Sequence, residues 1–517
     1  MYLVHIGAWR RGEQVDVVVV GAGPVGLLAA IELTLGGVSV LVLERLAAPS
    51  MVAKALMIGP LGIEALQRRG MAAAMAAAQE RTFAAMKKAT EQHGPDARRG
   101  GNKFSGHFGG LTLIRPDAQK EPGRRGRPVD QQAAEAMLTE RALALGIEVR
   151  RDCDVTNFVQ QADGVDAGWA SPTGEGRIRC SYLIGCDGGR SAIRKMAGFD
   201  FPGTPATMTM YQATAEIDHA ERLLPSGWRR TSGGVFSYGF LPGKLIMLDF
   251  SGPPENREAR EAPVTREEIE AVLRRVSGAD VRVKALESGS RWPDNTRLVD
   301  TYRRGRVLLA GDAAHIHSPF GGQGMSLGLV DAANLGWKLA AVVRGEMPES
   351  FLDTYAAERR PVAEAVLENT RAQAAIMRPD PQSGAMRDLV ARLLDFDDVN
   401  RFIGETMSGL CVRYDLGSER DDVGRLIGDM PISHRDGEGS LYDLMQDGMG
   451  VLLDASTGGK ASRLVAASAQ KIRCAGVDKG PSMLIRPDAC IAWAGEANST
   501  DGLEEALRRW FIPLPVQ

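Results

Sequence analysis

Three glycines in the first part of the chain constrain its fold more than any other feature. Gly21, Gly23 and Gly26 follow the spacing Gly-x-Gly-x-x-Gly. The valine-rich run at residues 16–20 precedes them and is typical of a buried parallel strand. A helical pattern follows, and then a second strand. This order predicts a βαβ unit in which a helix N-terminus binds the pyrophosphate of a dinucleotide.

Each position in this unit has a physical role. Gly21 allows the tight turn, Gly23 lets the backbone approach the pyrophosphate, and Gly26 lets the helix pack against the strand. Glu44 follows the second strand, predicted at residues 38–43, where a carboxylate would bind the hydroxyls of an adenosine ribose. A packing turn without a ligand is the alternative, and the strand–turn–helix order disfavours it. The motif alone does not separate NAD from FAD.

A second signal lies in the later part of the chain, after a buried-strand pattern at residues 306–310. There the carboxylate of Asp312 could accept a hydrogen bond from a ribityl hydroxyl. Pro319 and the glycines after it would bring bare backbone close to a flat ring. A helix predicted from about Gly324 would place its N-terminus near the negative charge of a reduced flavin. Both signals together favour FAD, and a capping turn without a ligand is the alternative.

With Asp187 in a glycine-rich turn between them, these motifs resemble those of the FAD-dependent aromatic hydroxylases built like para-hydroxybenzoate hydroxylase. The resemblance covers about residues 15–378, and it is greatest to the hydroxylases that tailor polycyclic aromatic polyketides in antibiotic biosynthesis. It implies an α/β fold. A Rossmann-like FAD-binding domain would hold an inserted antiparallel β-sheet substrate domain, and a thioredoxin-like domain would follow at the C-terminus.

The expected domain boundaries follow from shifts in composition along the chain. The FAD-binding domain is expected at 1–204 and 291–378, with a loop excursion at 94–128, the middle domain at 205–290 and the C-terminal domain at 379–517. Within the middle domain, a hairpin is predicted from residues 235–240 and 245–250, followed by a helix at 267–276.

The resemblance also implies which residues bind the cofactor, position by position. They are Gly21, Gly23, Gly26, Glu44, Arg45, Lys54, Gln131, Asp187, Asp312, Pro319, Gly322, Gly324, Met325 and Ser326. Asp187 matches an aspartate that the family links to both FAD and NAD(P)H binding, and Pro319 matches the proline beside the flavin. No nucleophile or general base is assigned, because the flavin carries the chemistry.

Three positions depart from the family pattern. Lys54 stands where many relatives have an arginine near the flavin, and it keeps the charge but loses the bidentate fork. Leu61 occupies a place that another arginine often holds in the polyketide hydroxylases. Ser326 replaces the usual asparagine after the glycine run. We expect looser positioning of the pyrophosphate or flavin from the first change.

The activity that the resemblance implies is an NADPH- or NADH-consuming monooxygenation. The reduced flavin would react with O2 to form a C4a-hydroperoxide, which transfers one oxygen to an activated carbon of a polycyclic aromatic substrate. The motifs leave three alternatives open. These are Baeyer–Villiger insertion beside a ketone, a dehydrogenase or reductase that does not use oxygen, and a flavin-stabilised binding protein without catalysis.

Composition and charge exclude other classes of function. The chain has 62 basic and 65 acidic residues, so its net charge of −3 gives no steering toward nucleic acid or an anionic membrane. No run approaches the roughly 20 apolar residues of a membrane span. The six cysteines form no Cys-x-x-Cys pair and no metal-ligand spacing. We therefore expect a cytoplasmic protein without a metal, with a homodimer as one assembly to test.

Several residues have both a structural and a functional interpretation. The arginines of the 94–128 segment are expected to be solvated, with binding of nicotinamide-cofactor phosphates as the alternative. His315 and His317 are expected to be structural, and His107 lies in a loop that could face the substrate. The methionine-rich strand near residues 208–211 is more typical of a core than of a pocket.

The C-terminal unit is predicted to contain strands near 451–454 and 483–488 and a closing amphipathic helix at 501–511. After Cys411 it has only Cys474 and Cys490, without the spacing of a dithiol site. We therefore expect this unit to have a structural role and no thiol–disulfide chemistry.

Overall fold

The computed structural model describes residues 13–50, 55–93, 106–223, 227–239, 243–253, 258, 262–434, 437–466, 471–478, 480–496 and 498–512. Its helices are α1 (Pro24–Leu35), α2 (Pro60–Gln67), α3 (Ala72–His93), α4 (Gln131–Ala144), α5 (Ala192–Met196), α6 (Arg266–Ser277), α7 (Gly324–Val343), α8 (Asp353–Met377), α9 (Pro381–Leu393), α10 (Asp397–Ser408), α11 (Lys460–Ala466) and α12 (Leu503–Trp510).

The strands up to the middle of the chain are β1 (Gln14–Val20), β2 (Val40–Leu43), β3 (Gly106–Phe108), β4 (Leu111–Ile114), β5 (Glu148–Arg150), β6 (Asp154–Gln161), β7 (Gly164–Ser171), β8 (Gly174–Gly185), β9 (Gly203–Thr204), β10 (Thr209–Asp218), β11 (Gly227–Thr231) and β12 (Gly234–Tyr238). The later strands are β13 (Lys244–Asp249), β14 (Arg282–Pro293), β15 (Thr296–Leu298), β16 (Arg303–Arg304), β17 (Val307–Leu309), β18 (His315–Ile316), β19 (Pro431–His434), β20 (Gly437–Ser440), β21 (Gly450–Asp454), β22 (Ile472–Gly476), β23 (Ser482–Ile485) and β24 (Ile491–Gly495).

The valine-rich strand β1 lies inside a sheet with the order β16-β17-β8-β1-β2-β5. Its pairings with β2 and β8 are parallel, and so is the pairing of β17 with β8. Val17, Val18 and Val19 are fully buried because helices cover the sheet. A strand buried on both faces needs a continuous apolar run, which is what the sequence contains. The predicted βαβ unit and the predicted strand at 306–310 are confirmed.

The hairpin β6–β7 extends this sheet from β8, and the sequence analysis did not predict it. Most side chains of β6 are exposed, and its sequence DVTNFVQQ is largely polar. A strand whose faces both carry polar residues has no clear alternation of period two. Neither strand β6 nor its pairing with β7 could therefore be predicted from the sequence pattern.

The middle of the chain forms an antiparallel sheet with the order β11-β12-β13-β10-β14. The predicted hairpin appears as β12 and β13, and the predicted helix appears as α6. One face of the sheet, including Tyr211, Phe236 and Met247, packs against Ile269 and Leu273 of α6. The opposite face is directed toward the rest of the molecule.

The C-terminal part of the chain forms a mixed sheet with the order β22-β21-β23-β24. Strand β21 is parallel to β22 and antiparallel to β23, and helices α11 and α12 pack in the same unit. The predicted strands and closing helix are confirmed there, and helices α9 and α10 precede them. The fold class predicted from the sequence is therefore confirmed, with its thioredoxin-like final domain.

Helix α7 and the turn before it form a long apolar helical segment. Among the described helices, Phe320–Val343 is the one whose length and composition would suit a membrane span. In the most apolar 18-residue stretch of this segment, 83% is buried inside the protein. That burial is typical of the core helix of a globular domain.

A buried ionic cluster joins the C-terminal unit to helices α7 and α8. Arg486 donates two hydrogen bonds to the Glu358 carboxylate, at 2.8 and 2.7 Å, and another to Asp488 Oδ1 at 3.0 Å. Lys338 Nζ donates to Glu358 Oε2 at 2.8 Å. Burial alone would raise the pKa of Glu358, but Arg486 and Lys338 lower it overall. Glu358 is therefore ionised in the core, where its negative charge offsets the positive charges of Arg486 and Lys338.

We predict that Glu358→Gln destabilises the protein by about 3–5 kcal/mol near neutral pH, because buried Lys338 loses its counter-charge and buried Arg486 keeps only that of Asp488. The pKa of Glu358 is below its ordinary 4.5 in the folded state, so the unfolded state binds more protons as the pH falls. The stability from this group is therefore present above pH 4.5 and is lost on acidification. Urea unfolding of both proteins across this range should show the difference shrinking.

Glu364→Gln is the matched control for this prediction. Glu364 lies on the same helix, its side chain is 55% exposed, and it pairs with Arg360 at 3.6 Å. Its substitution should change stability by less than about 1 kcal/mol. Equal losses in the two variants would contradict the role given to the buried cluster.

Cys474 and Cys490 lie at opposite sides of the C-terminal sheet. Cys474 belongs to β22, and Cys490 precedes β24, the strand at the other edge. Burial raises the pKa of both thiols above the ordinary value, which disfavours the reactive thiolate. We predict that peptide mapping after diamide treatment finds no Cys474–Cys490 disulfide. Finding that disulfide in folded protein would reject the structural role of this unit.

Candidate functional site

Four of the predicted ligand-binding positions follow strands of the parallel sheet at its carboxyl edge. In the register of the sheet, Val20 lies opposite both Leu43 and Gly185, and Gly185 also lies opposite Leu309. The residues that come next in the chain therefore leave the sheet on the same side. The structure brings together the Gly21 turn, Glu44, Asp187 and Asp312 by this alignment, at the edge where α/β sheets bind nucleotides.

Close packing explains two of the three glycines in the first turn. A Cβ atom at Gly21 would lie 2.5 Å from the carbonyl oxygen of Cys186, and one at Gly26 would lie 2.0 Å from that of Gly21. A Cβ at Gly23 would meet no atom within 4 Å, so its open side leaves room for a ligand. No side chain caps the N-terminus of α1. Its free N–H groups can bind an anion such as a pyrophosphate.

The Glu44 carboxylate is oriented by the same turn. Its Oε2 accepts a hydrogen bond from the N–H of Ala22 at 2.8 Å, and its Oε1 accepts one from Leu46 at 2.8 Å. The acid group thus lies beside the phosphate-binding turn, with acceptor capacity left for a ligand hydroxyl. Arg45, the next residue, is exposed.

A buried carboxylate, Asp331 of α7, supports the turn that carries Asp312. Asp331 Oδ2 accepts a hydrogen bond from Gly311 N–H at 3.2 Å and lies 2.6 Å from His315 Nε2. Its Oδ1 accepts one from Arg359 at 2.8 Å. Burial alone would raise the pKa of Asp331, but Arg359 and His315 lower it overall.

This arrangement confirms that His315 is a structural residue. Asp312, in contrast, has an exposed side chain beyond the turn. It is therefore accessible to a ligand, while the backbone on both sides of it is held by the core. The buried pair of Asp331 and Arg359 was not predicted from the sequence, because isolated charged residues in a helix pattern usually indicate a solvent-exposed face.

The turn from Pro319 to Gly324 combines open backbone with unpartnered polar groups. Gly321 and Gly322 have φ values of +78° and +62°, and a Cβ at Gly322 would meet no atom within 4 Å. The described part of the chain leaves four buried atoms around this edge without a hydrogen-bond partner. They are His317 Nε2, Ser318 Oγ, Gln323 Oε1 and Asp187 Oδ1.

Unpartnered buried polar atoms are rare in proteins and are expected to be satisfied by a ligand or by water. Here they lie at the edge where the sequence places a flavin, whose ring carries several donors and acceptors. Met325 and Ser326 open α7, and no side chain caps its N-terminus. The residues present therefore fit FAD.

The three residues that depart from the family pattern lie in different surroundings in the structure. The Ser326 hydroxyl accepts a hydrogen bond from the N–H of Gly59 at 2.7 Å, which joins the start of α7 to the segment before α2. Leu61 is buried and belongs to an apolar cluster shared with the C-terminal unit. Lys54 lies outside the described residues, so its assignment stays a prediction.

Gln131 begins α4, next to the chain before Gly59. Its side-chain Nε2 donates to Glu135 Oε1 at 2.8 Å, and its backbone N–H donates to the carbonyl of Ala55 at 3.0 Å. The amide oxygen of this side chain is oriented by that contact. Its contact with the cofactor stays a prediction.

The described part of the arginine-rich segment is partly fixed to the protein. Arg124 donates to both oxygens of Glu64, each at 2.7 Å, and to the carbonyl of Leu426 at 3.1 Å. Its side chain is 14% exposed, so the expectation of a solvated side chain is wrong here. A charge neutralised in this way is also a poor phosphate ligand. Residues 94–105 lie outside the described part of the chain.

The face of the middle sheet opposite α6 meets the turn from Pro319 to Gly324, which we call the flavin turn. Met208 and Met210 pack with Phe320 and with Met377 of α8. Met208 and Met210 therefore belong to a core cluster, as expected, and the cluster includes a residue of the flavin turn itself.

His107 lies beside this cluster. Its ring is 5.7 Å from the ring of Trp228, and its Nδ1 accepts a hydrogen bond from Gly110 N–H at 3.3 Å. Burial, together with the charge of Arg387, lowers the pKa of His107 to about 4. The imidazole is thus neutral near pH 7.

Comparison with known proteins agrees with this geometry. Residues 14–370 match the model of the FAD binding domain family, and residues 420–513 match that of the aromatic-ring hydroxylase C-terminal domain. The chain belongs to the FAD-dependent aromatic-ring hydroxylases. It is an FAD-dependent monooxygenase whose fold and cofactor are those expected from the sequence motifs.

Similar proteins extend over nearly the whole chain. A 12-dehydrotetracycline 5-monooxygenase/anhydrotetracycline 6-monooxygenase from Streptomyces rimosus is 38% identical over 529 residues, covering 96% of this chain and 99% of the relative. A rifampicin monooxygenase from Streptomyces venezuelae is 38% identical over 488 residues, covering 93% and 96%. A dialkyldecalin synthase from Streptomyces rugosporus is 32% identical over 508 residues, covering 96% and 99%.

A solved structure with the same architecture is that of an anhydrotetracycline hydroxylase from Streptomyces rimosus. It superposes with a TM-score of 0.83 at 36% sequence identity and covers 97% of this chain and 100% of that chain. The similarity therefore includes the middle sheet and the C-terminal unit as well as the FAD-binding domain.

We predict that Asp312→Ala weakens FAD binding by about 1–3 kcal/mol, or roughly 5- to 150-fold, because a cofactor hydroxyl loses its acceptor. Fluorescence titration of apoprotein with FAD measures the dissociation constant. Asp300→Ala is the control, since Asp300 pairs with Arg304 at 2.7 Å outside the flavin turn. Unchanged FAD affinity in Asp312→Ala would reject the role assigned to this carboxylate.

Proposed function

We propose that the protein hydroxylates a polycyclic aromatic, polyketide-like small molecule, with NADPH or NADH as reductant and O2 as oxidant. In the net reaction, one atom of O2 enters a C–H bond of the substrate. The other atom leaves as water, with the hydride of NAD(P)H and one proton supplying the electrons and hydrogen. The observation that carries this proposal is the contact between an apolar, aromatic sheet face and the flavin turn, through Phe320.

The chemistry of that face supports a flat, apolar substrate. Trp228, Ile246, Phe250 and Trp292 are partly buried residues around the cluster that includes Phe320. Aromatic and aliphatic side chains with a few polar groups are typical of pockets for large apolar ligands. The monooxygenases named above act, by their names, on 12-dehydrotetracycline and anhydrotetracycline and on rifampicin, which supports a polyketide-like substrate here.

FAD, when bound, supplies the oxidation chemistry, and the residues of this chain bind it, orient it and exclude water. We assign the pyrophosphate to the Gly21–Gly26 turn and the ribose to Glu44. The ribityl chain is assigned to Asp312, and the ring to the turn from Pro319 to Gly324. The N-terminus of α7 would stabilise negative charge on the reduced ring. Arg45, Lys54, Gln131 and Asp187 complete the proposed cofactor contacts.

The domain division belongs to the same proposal. Residues 1–204 and 291–378 would bind FAD, residues 205–290 would cover the substrate, and residues 379–517 would form the C-terminal domain. A homodimer is the proposed assembly, and sedimentation analysis would test it.

A second candidate function has one specific observation in its favour. The sequence similarity to the dialkyldecalin synthase named above covers 96% of this chain, and the name of that protein describes no oxygenation. This supports the alternative in which the flavin stabilises a binding site and the substrate is not oxidised. Baeyer–Villiger insertion on a similar substrate has no separate observation to favour it.

We predict that the purified protein releases FAD on acid precipitation and that a bound polycyclic phenol accelerates NADPH oxidation. Stopped-flow absorbance measures flavin reduction with and without the phenol, and mass spectrometry with ¹⁸O2 identifies the product. A product that gains one labelled oxygen on a ring carbon supports hydroxylation, and a lactone supports Baeyer–Villiger insertion. Ligand binding without oxygen consumption would favour the non-oxidative candidate and overturn the proposal.

A further inference from the structure

The face of the middle sheet that meets the flavin turn contains two neighbouring rows of side chains. Residues directly opposite each other on antiparallel strands point to the same face. The first row consists of Trp292, Met210, Leu248 and Val235. Met210, Leu248 and Val235 are buried together with Phe320 in one apolar cluster, and Trp292 packs against that cluster. This row is the apolar floor below the flavin turn.

The second row contains polar side chains within an apolar setting. Across the sheet it consists of Ser290, Gln212, Ile246, Ser237 and Trp228. At its end, the Trp228 ring contacts the ring of His107. Strand β3, which carries His107, contacts the turn at 320–322. The second row therefore lies on the same side of the sheet as the flavin turn.

Gln212 lies inside this row and has an unsatisfied side chain. The residue is 5% exposed, and its Nε2 has no hydrogen-bond partner in the part of the chain that the structure describes. A buried amide without a partner destabilises the folded protein, and an apolar side chain of the same length would avoid this. An acceptor on a bound ligand would also remove the penalty, and a hydrogen bond in such an apolar setting is strong.

We propose that Gln212 determines substrate specificity by donating a hydrogen bond from its amide to a carbonyl or phenolate oxygen on the edge of the polycyclic substrate. Ile246 and Met210 would contact the apolar ring system on either side of that bond. A substrate with a hydrocarbon edge at this place would leave the amide unpaired and bind more weakly. This inference rests on the proposed function, because it takes the substrate to be a flat polycyclic compound.

The test compares FAD-loaded wild-type protein with Gln212→Met, in which a side chain of similar length fills the space without an amide. The two probes are anthraquinone, which has carbonyl oxygens on its ring edges, and anthracene, whose edges are hydrocarbon. Dissociation constants are measured from the change in flavin absorbance or tryptophan fluorescence. Glu216→Met is the control, because Glu216 is exposed on the same strand.

The wild-type protein and the Glu216→Met control should bind the quinone about tenfold more tightly than the anthracene, and Gln212→Met should lose this preference. Without a ligand, Gln212→Met should melt at the wild-type temperature or above it, because the unpaired amide is gone. A structural role of Gln212 would instead lower the melting temperature.

Two results would overturn the inference alone. They are equal wild-type affinity for both probes, and a Gln212→Met variant that keeps the preference for the quinone. Wild-type protein that binds neither probe would overturn the inference together with the proposed class of substrate. The three results are distinguishable in a single set of titrations.

Discussion

The buried ion pairs between α7 and α8 hold the other parts of the molecule in place. Asp331 and Lys338 lie about two turns apart on α7, and their partners Arg359 and Glu358 are adjacent on α8. The carboxylates are desolvated, so each requires its cation, and any separation of the helices would leave charges unpaired in the core. The relative position of α7 and α8 is therefore specified more narrowly than apolar packing alone would require.

Both ends of this stretch of α7 are connected to functional parts of the protein. At one end, Asp331 holds the backbone of Gly311 and the ring of His315, and so it positions the turn that presents Asp312. At the other end, Arg486 of the C-terminal unit reaches Glu358 through two hydrogen bonds. The C-terminal unit and the turn that presents Asp312 are thus attached to the same pair of helices. This physical link supports a structural role for the C-terminal domain.

Much of the site could be predicted because its requirements are local. Gly21 and Gly26 are needed where backbone packs on backbone, and such positions accept no other residue, so the motif is visible in the sequence. The contacts that the analysis missed join residues far apart in the chain. Ser326 binds Gly59, and Arg124 binds Glu64. In the sequence, such a serine or arginine cannot be distinguished from an ordinary polar surface residue. Its hydrogen-bond partner is known only once the fold is known.

The sequence by itself determined the class of fold, the cofactor and the residues expected around it, because strand and helix periodicities and glycine turns depend on neighbours in the chain. The tertiary structure decided which charged residues are buried and which face of the middle sheet meets the flavin turn. Gln212 shows the difference. In the sequence it is one polar residue in a strand, and only the register with Ile246 and Ser290 places its amide on that face. Burial and pairing are properties of the assembled core, since desolvation depends on every element packed around a group.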